Sequence, residues 1–442
     1  MRVAAALTGS SQLADSGWGK TPPTVPRMDK TSPFTSRLVS RRWLLATVPV
    51  AAVAIAGCAT TTSSTTPSDG STPSASTTAA ADGAAAAGSV AALAQAFYKT
   101  LDDDQQTAVL LDYSLANAKR WSNLPQALLG GGGGVPGGNQ SGDSGGRPSG
   151  APNGGPPSGS GDQSGGPGGG NSQSRLGISI GDLNDDQLAA FTTLLKATTG
   201  TTKGLGYDEI EQQLNADDYL GTNGGGDDYG RAAFYVALLG SPKDSGTWEF
   251  QFGGHHMAVA NTYTDGKLVG ATPSFRGVEP NGAFELNGQT NQPLKVKEAA
   301  FTALLAGLSA DQLATAKLDD TFSDLVLTPG KDWAFPTDRE GAKISTLSAS
   351  QKKLALAAIA SYVNDIADSD AKPILAKYQA ELDDTYVAYS GTTNLTEQND
   401  YVRIDGPSVW IEFSMQHGIV LDGNHPHSVW RDRSTDYGGT KS

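Results

Sequence analysis

A five-residue phrase recurs four times along this chain, and each copy fixes the start of a helix. The copies are Leu101-Asp102-Asp103-Asp104-Gln105, Leu183-Asn184-Asp185-Asp186-Gln187, Leu308-Ser309-Ala310-Asp311-Gln312 and Leu347-Ser348-Ala349-Ser350-Gln351. Each sets Asp, Asn or Ser three residues before Gln, with Leu just outside. That is the pattern of a capping box, in which the cap side chain and the glutamine satisfy free backbone N–H groups reciprocally. Leu188 and Leu313 add the inner half of a hydrophobic staple. The acids in these phrases suit the positive end of a helix dipole and require no ligand.

Around these starts the apolar periodicity alternates between two values. Leu93, Phe97, Leu101, Val109, Leu110 and Tyr113 give a helical pattern from Val90 to about Arg120, and two further helices are expected over about 350–366 and 371–382. Between the second and third phrases the period drops to two. The run 233–239 reads as a strand, the turn 241–246 leads into Trp248, Phe250 and Phe252, and Asp265-Gly266 closes a hairpin with 267–272. More strands are expected at 387–389, 401–404 and 409–413. With no regular βαβ alternation, the pattern predicts an α+β class: an antiparallel sheet bracketed by helices in a single large domain over 90–439.

Much of the remaining chain cannot build a core. Residues 130–173 are mostly Gly, Ser, Pro, Asn and Gln, and read as a disordered Gly-rich insertion, while 58–89 read as a Thr/Ser/Ala-rich tether. Residues 1–57 read as a twin-arginine lipoprotein signal segment. Ser40-Arg41-Arg42-Trp43-Leu44-Leu45 precedes an apolar run too short to span a bilayer, and Ile55-Ala56-Gly57-Cys58 resembles a lipobox that makes Cys58 the lipidation site. Cys58 is the only cysteine, so no internal disulfide can form. The expectation is a protein held on the extracytoplasmic face of the cell membrane by acyl chains on Cys58. The signal segment holds seven Lys/Arg and two Asp; without it the chain's charge of −14 becomes −19. Such acidity argues against nucleic acid as a partner.

The chemistry-bearing residues are the histidines. Of five in the chain, four fall in two short stretches, Gly253-Gly254-His255-His256 and Asn424-His425-Pro426-His427. His425 and His427 share a face of an extended segment, and Pro426 biases His425 toward extended geometry. His255 and His256 in a regular strand would point to opposite faces, so one of them is expected to join the pair. Three neutral imidazoles with an open fourth position suit zinc, and copper or iron also accept nitrogen ligands. Glu279, Glu412 and Asp432 are the carboxylates that could complete or polarise such a site. The bland alternative is histidines that hydrogen-bond within a polar cleft.

With these residues in view, the chain resembles the bacterial family catalogued as domain of unknown function 3500, from about Val90 to Gly439 outside the insertion. The resemblance is carried by Trp248, Gly254-His255-His256, Thr272-Pro273-Ser274-Phe275-Arg276-Gly277-Val278-Glu279-Pro280, the four helix starts, and Asn424-His425-Pro426-His427-Ser428-Val429-Trp430-Arg431-Asp432. Where the family pattern has an aromatic-Arg pair and an acid, this chain has Phe250-Gln251 and Gly253. The resemblance implies fold boundaries and site residues but no reaction.

Two function classes follow. One is an exported metal-binding protein, extending to a metal-dependent hydrolase with Glu279 or Glu412 as base and Asn424 and Arg431 orienting a small-molecule substrate. The other is a non-catalytic surface lipoprotein that binds a small molecule or glycan in an aromatic cleft of Trp248, Phe250, Phe275 and Trp430.

Overall fold

The structure, a computed structural model, describes residues 85–129 and 174–441. The signal segment, Cys58, most of the tether and the Gly-rich insertion lie outside the described residues. Ten α-helices are described. They are α1 (Val90–Thr100), α2 (Asp103–Val109), α3 (Leu115–Ala118), α4 (Gln126–Leu129), α5 (Asp185–Thr198), α6 (Gly206–Leu220), α7 (Lys295–Ala306), α8 (Ala310–Ala316), α9 (Ala349–Val363) and α10 (Asp368–Ala380).

All four recurring phrases open helices, α2, α5, α8 and α9, and each makes both bonds of a capping box. The capping glutamines then act in pairs. Gln187 Nε2 donates to Gln105 Oε1 at 2.7 Å and to the Thr100 carbonyl at 3.0 Å. Gln351 Nε2 donates to Gln312 Oε1 at 2.6 Å and to the Gly307 carbonyl at 2.8 Å.

The two pairs mark one structural plan used twice. In the first half β1 (Leu110–Leu111) and β2 (Ile178–Ser179) both pair along one edge of β3 (Tyr235–Leu239), the first parallel and the second antiparallel to it. In the second half Lys317 makes a parallel bridge to Tyr389 of β11 (Tyr386–Ser390), whose antiparallel neighbour is β10 (Ala342–Lys343). β2, α5, α6 and β3 thus correspond to β10, α9, α10 and β11. The halves meet where Thr199, after α5, bridges Ile366, after α9.

The remaining strands of the main sheet are β4 (Thr247–Gly254), β5 (Met257–Thr264), β6 (Lys267–Gly270), β7 (Ser274–Gly277), β12 (Tyr401–Asp405), β13 (Val409–His417) and β14 (Asn424–Asp432). β8 (Phe284–Leu286) and β9 (Gln289–Asn291) form a separate hairpin. The central order is β3-β4-β5-β7-β14-β13-β12-β11, antiparallel throughout, and the two halves join at β7–β14. The class is α+β, in one domain.

Strand alternation separates two faces. Trp248, Phe250, Phe252, Met257 and Val259 face α1, α5 and α6, and Trp430, Ile411 and Phe413 face α7, α9 and α10. The opposite face carries Glu249, Gln251, Phe275, His427, Val429 and Arg431. It is covered by the short helix α3 and by loop segments, which contribute Ala118, Trp121, Leu325 and Tyr437. The long helices therefore cover one face, and mostly loop segments cover the face that carries the buried polar side chains.

Glu249 on the loop-covered face is fully buried and bonded to neutral donors, Gln251 Nε2 at 2.7 Å and Thr262 Oγ1 at 2.8 Å. Burial pushes its carboxyl up from 4.5 to about 7. Between those values the native state holds a proton that the unfolded state has lost, so stability is full at the acid end and falls as pH rises through the folded value. In urea titrations from pH 5 to 8, the wild type is expected to lose up to roughly 3 kcal/mol relative to Glu249→Gln. Parallel pH profiles for the two proteins would show that the carboxyl is ionised throughout.

Candidate metal centre

His255 and His256 do not lie in a regular strand. Gly254 pairs with Met257, which makes the two histidines the tight turn of the β4–β5 hairpin. The alternation expected from a strand fails for that reason, and the rings stack at a centroid distance of 3.7 Å and an interplanar angle of 28°. The preceding glycines permit the turn. A Cβ on Gly253 would lie 2.4 Å from the Met257 carbonyl oxygen, and one on Gly254 would lie 2.5 Å from the Phe234 ring.

His256 occupies the left-handed region at φ 59°, a conformation that costs a non-glycine residue on the order of 1–3 kcal/mol. Two backbone bonds hold it there. Its N–H donates to the Asn123 carbonyl at 3.0 Å, and its carbonyl accepts from the Gly277 N–H at 2.7 Å. A Cβ on Gly277 would lie 3.1 Å from the His256 ring and 3.2 Å from the His427 ring, so the missing side chain leaves the space that both rings fill.

β14 presents His425 and His427 on one face, as the H-x-H spacing implies, with His427 directly opposite Gly277. One nitrogen each of His256, His425 and His427 lies within 4.8 Å of the others. The Nε2 atoms of His427 and His256 are 3.2 Å apart, and the three ring centroids are separated by 5.0, 5.0 and 5.1 Å. One histidine comes from the first half of the fold and two from the second. His255 lies outside this group, with its Nδ1 2.6 Å from Asp217 Oδ1 on α6 and its ring edge-on to Tyr229.

The site is buried, and burial favours the neutral form of the His256 and His425 imidazoles. His256, His425 and His427 are all buried. Burial first, then the neighbouring His255, His427 and His425, holds His256 well below its usual range. Burial first, then His427, His255 and His417, brings His425 down to about 2. Neutral imidazole is the form that binds metal. His427 Nδ1 lies 3.1 Å from Asp324 Oδ1 while its Nε2 faces His256; a carboxylate behind a ligating histidine is the usual orienting partner. Both nitrogens of His425 are buried, and among the described residues neither has a hydrogen-bond partner. An imidazole with an unused lone pair, beside two others, suits a metal ion.

The carboxylates divide. Glu279 lines a cavity of about 10 Å³ together with Gln213, Asp217, His255, His256 and Gly277, and its Oε1 accepts from the Val420 and Leu421 N–H groups at 3.0 and 2.6 Å. Glu412 is fully buried and accepts from four donors: the backbone of Val326 and Leu327, Tyr401 Oη and Trp410 Nε1, at 2.5–2.9 Å. Those bonds anchor the loop 318–341 to β13 and leave the carboxylate saturated, which makes it a staple and not a base.

Arg431, Asp432 and Asn424 are also tied into the fold. Arg431 is fully buried, paired with Asp436 at 2.8 Å and Asp332 at 3.4 Å; Asp432 points to the other face and takes Tyr378 Oη at 2.7 Å. Asn424 Nδ2 donates to the Thr396 carbonyl at 2.8 Å. Trp248, Phe250, Phe275 and Trp430 are each at most 1% exposed, and Trp248 stacks on Tyr263 within the core. These four rings pack in the interior and present no aromatic cleft to solvent.

Asp324 and Asp217 were not legible as site residues in the sequence. The only sign of Asp324 is that 318–341 runs without a helix or strand, a length more typical of functional loops than of connections. Asp217 carries no sign at all, being one of two acids near the end of an ordinary helix.

The family described as protein of unknown function (DUF3500) matches residues 170–439. No curated protein and no solved structure matches the chain.

Proposed function

Since this chain belongs to the DUF3500 family, for which no function is known, we propose a function from the site alone: the protein holds a transition metal ion, zinc first, through His256, His425 and His427. The carrying observation is His425, whose two ring nitrogens are buried and have no hydrogen-bond partner among the described residues. A buried donor or acceptor left unmade costs about 1–3 kcal/mol, and ligation removes that cost for one nitrogen. Copper and iron also accept imidazole, so zinc rests on the three-nitrogen set and its open fourth position.

A bound ion would supply Lewis acidity. Asp324 orients His427, and Glu279 borders a cavity of about 10 Å³, room for one water. Glu279 is thus the residue placed to take a proton from a water there, which is the basis for a hydrolytic reading. The cavity does not hold a substrate, so turnover needs the covering segments to open. Calorimetric titration of chelator-stripped protein with zinc is expected to show one site per chain; absence of binding by zinc, copper and iron would remove the proposal.

The same proposal places the protein on the extracytoplasmic membrane face, tethered through Cys58. It is supported by the order of twin arginine, short apolar run and lipobox in the sequence. Mass spectrometry of membrane-fraction protein should find a diacylated fragment beginning at Cys58. An intact N-terminal segment in the cytosol would contradict it.

A further inference from the structure

On the helix-covered face of the sheet, away from the histidines, four charged side chains are buried together. Lys297 in α7 and Glu209 in α6 are fully buried, and Asp365 after α9 and Arg276 in β7 are each 3% exposed. Lys297 Nζ lies 2.6 and 2.7 Å from the two Glu209 oxygens and 3.0 Å from the Asp365 carboxylate. Arg276 Nε lies 3.5 Å from Glu209 Oε1 and 3.9 Å from Asp365 Oδ2, and has no hydrogen bond among the described residues. The Gly206 N–H donates to Asp365 Oδ1 at 3.1 Å.

We propose that Lys297 and Asp365 condense into an intramolecular amide, with Glu209 as the proton carrier. The three roles are filled at contact distance. An amine taken out of water is activated as a nucleophile, and the buried Lys297 Nζ sits between the Glu209 and Asp365 carboxylates with the Tyr362 ring centroid 5.3 Å away. Arg276 Nε and the Gly206 N–H flank Asp365, where negative charge develops on its oxygens as the carboxyl carbon is attacked. Burial, the largest cause, pushes the Glu209 carboxyl upward, toward the range in which a general acid-base group both takes and returns a proton near neutrality.

The step balances without any further reactant. Glu209 takes one proton from the Lys297 ammonium, and the freed nitrogen pair attacks the Asp365 carboxyl carbon. The C–N bond forms, a C–O bond breaks, and the departing oxygen receives the proton from Glu209 and a second from the nitrogen, leaving as water. One ammonium and one carboxylate are consumed together, so net charge is unchanged and Glu209 is left facing Arg276 as an opposite-sign pair. Two of four desolvated charges disappear, each of which costs several kcal/mol to bury. The link spans 297–365 in a chain whose single cysteine permits no internal disulfide.

The test is tryptic peptide mapping of the folded full-length protein by tandem mass spectrometry. It is expected to yield a branched peptide joining Lys297 to Asp365, lighter by about 18 Da than its two parts, with no cleavage after Lys297. Fragmentation across the branch separates this from dehydration within one peptide. Glu209→Gln should give linear peptides only, with an unchanged circular dichroism spectrum. Asp365→Asn, which keeps shape and removes a charge, should still form the link with loss of about 17 Da as ammonia. Linear peptides with a free Lys297 amine from the wild type overturn the proposal, as does an undiminished link in Glu209→Gln.

Discussion

Alanine at His425 or His427 is expected to abolish stoichiometric zinc binding while leaving helices and sheet in place. Each histidine supplies one of three nitrogens lying within 4.8 Å of one another. Removing even an outer partner of a metal ligand costs about 10–100-fold in affinity, so loss of a ligand should exceed roughly a hundredfold. Asp324→Asn, which weakens the orientation of His427 alone, should fall within that 10–100-fold range. His255→Ala should bind zinc nearly as well as the wild type, because His255 bonds to Asp217 and stands outside the triad. The metal-free His425→Ala protein should melt close to the wild type, since the imidazole it loses made no hydrogen bond. Competition titration with a chromogenic chelator and thermal melts read both effects. Unfolding of both variants, with no zinc bound by the wild type, would make the histidines structural.

Replacing Glu412 by alanine should be the most damaging single change to stability. Its carboxylate satisfies four donors on three segments, three of them buried. Two of these, Tyr401 Oη and Trp410 Nε1, belong to fully buried side chains, and water cannot easily replace the lost acceptor. At about 1–3 kcal/mol for each unsatisfied group, partly relieved by movement of the loop, the loss should be on the order of 4 kcal/mol in urea denaturation. Because the same loop carries Asp324, zinc affinity should weaken as well. A variant of unchanged stability would mean that the Val326–Leu327 segment is not held by this carboxylate.

The fold was legible where the sequence carries local chemistry. Each Leu-x-x-x-Gln phrase opens a helix because cap and glutamine bond reciprocally within four residues, whatever the rest of the chain does. Alternating Trp248, Phe250 and Phe252 found the core face of β4 by the same local logic. The pairing of those phrases was not legible. It depends on Gln105 meeting Gln187 and Gln312 meeting Gln351, contacts between helices that no spacing encodes, and with it went the two-fold plan of the fold.

The site divides along the same line. Strand alternation put His425 and His427 together with one of the two neighbouring histidines, and His256 is the one that joins them; that His255 and His256 form a turn was not legible, because it depends on Gly253-Gly254 making β4 turn back at once and not continue. Glu412 looked like a base because a carboxylate near histidines carries no mark of how many donors it will meet. Trp248 and Trp430 looked like stacking platforms, but apolar aromatics at strand spacing are more cheaply explained as core, and both are buried. Asp324 reaches His427 from about a hundred residues away in sequence, a long-range contact of the kind that only folding reveals.

The most direct measurement is diffraction from crystals grown with zinc, with data collected on both sides of the zinc absorption edge. An anomalous peak is expected among His256, His425 and His427, with ring nitrogens at about 2.0–2.1 Å from it and His255 still bonded to Asp217. A map without that peak, showing His256 and His427 hydrogen-bonded to each other through their Nε2 atoms and His425 unchanged, would contradict the assignment of this cluster as a metal site.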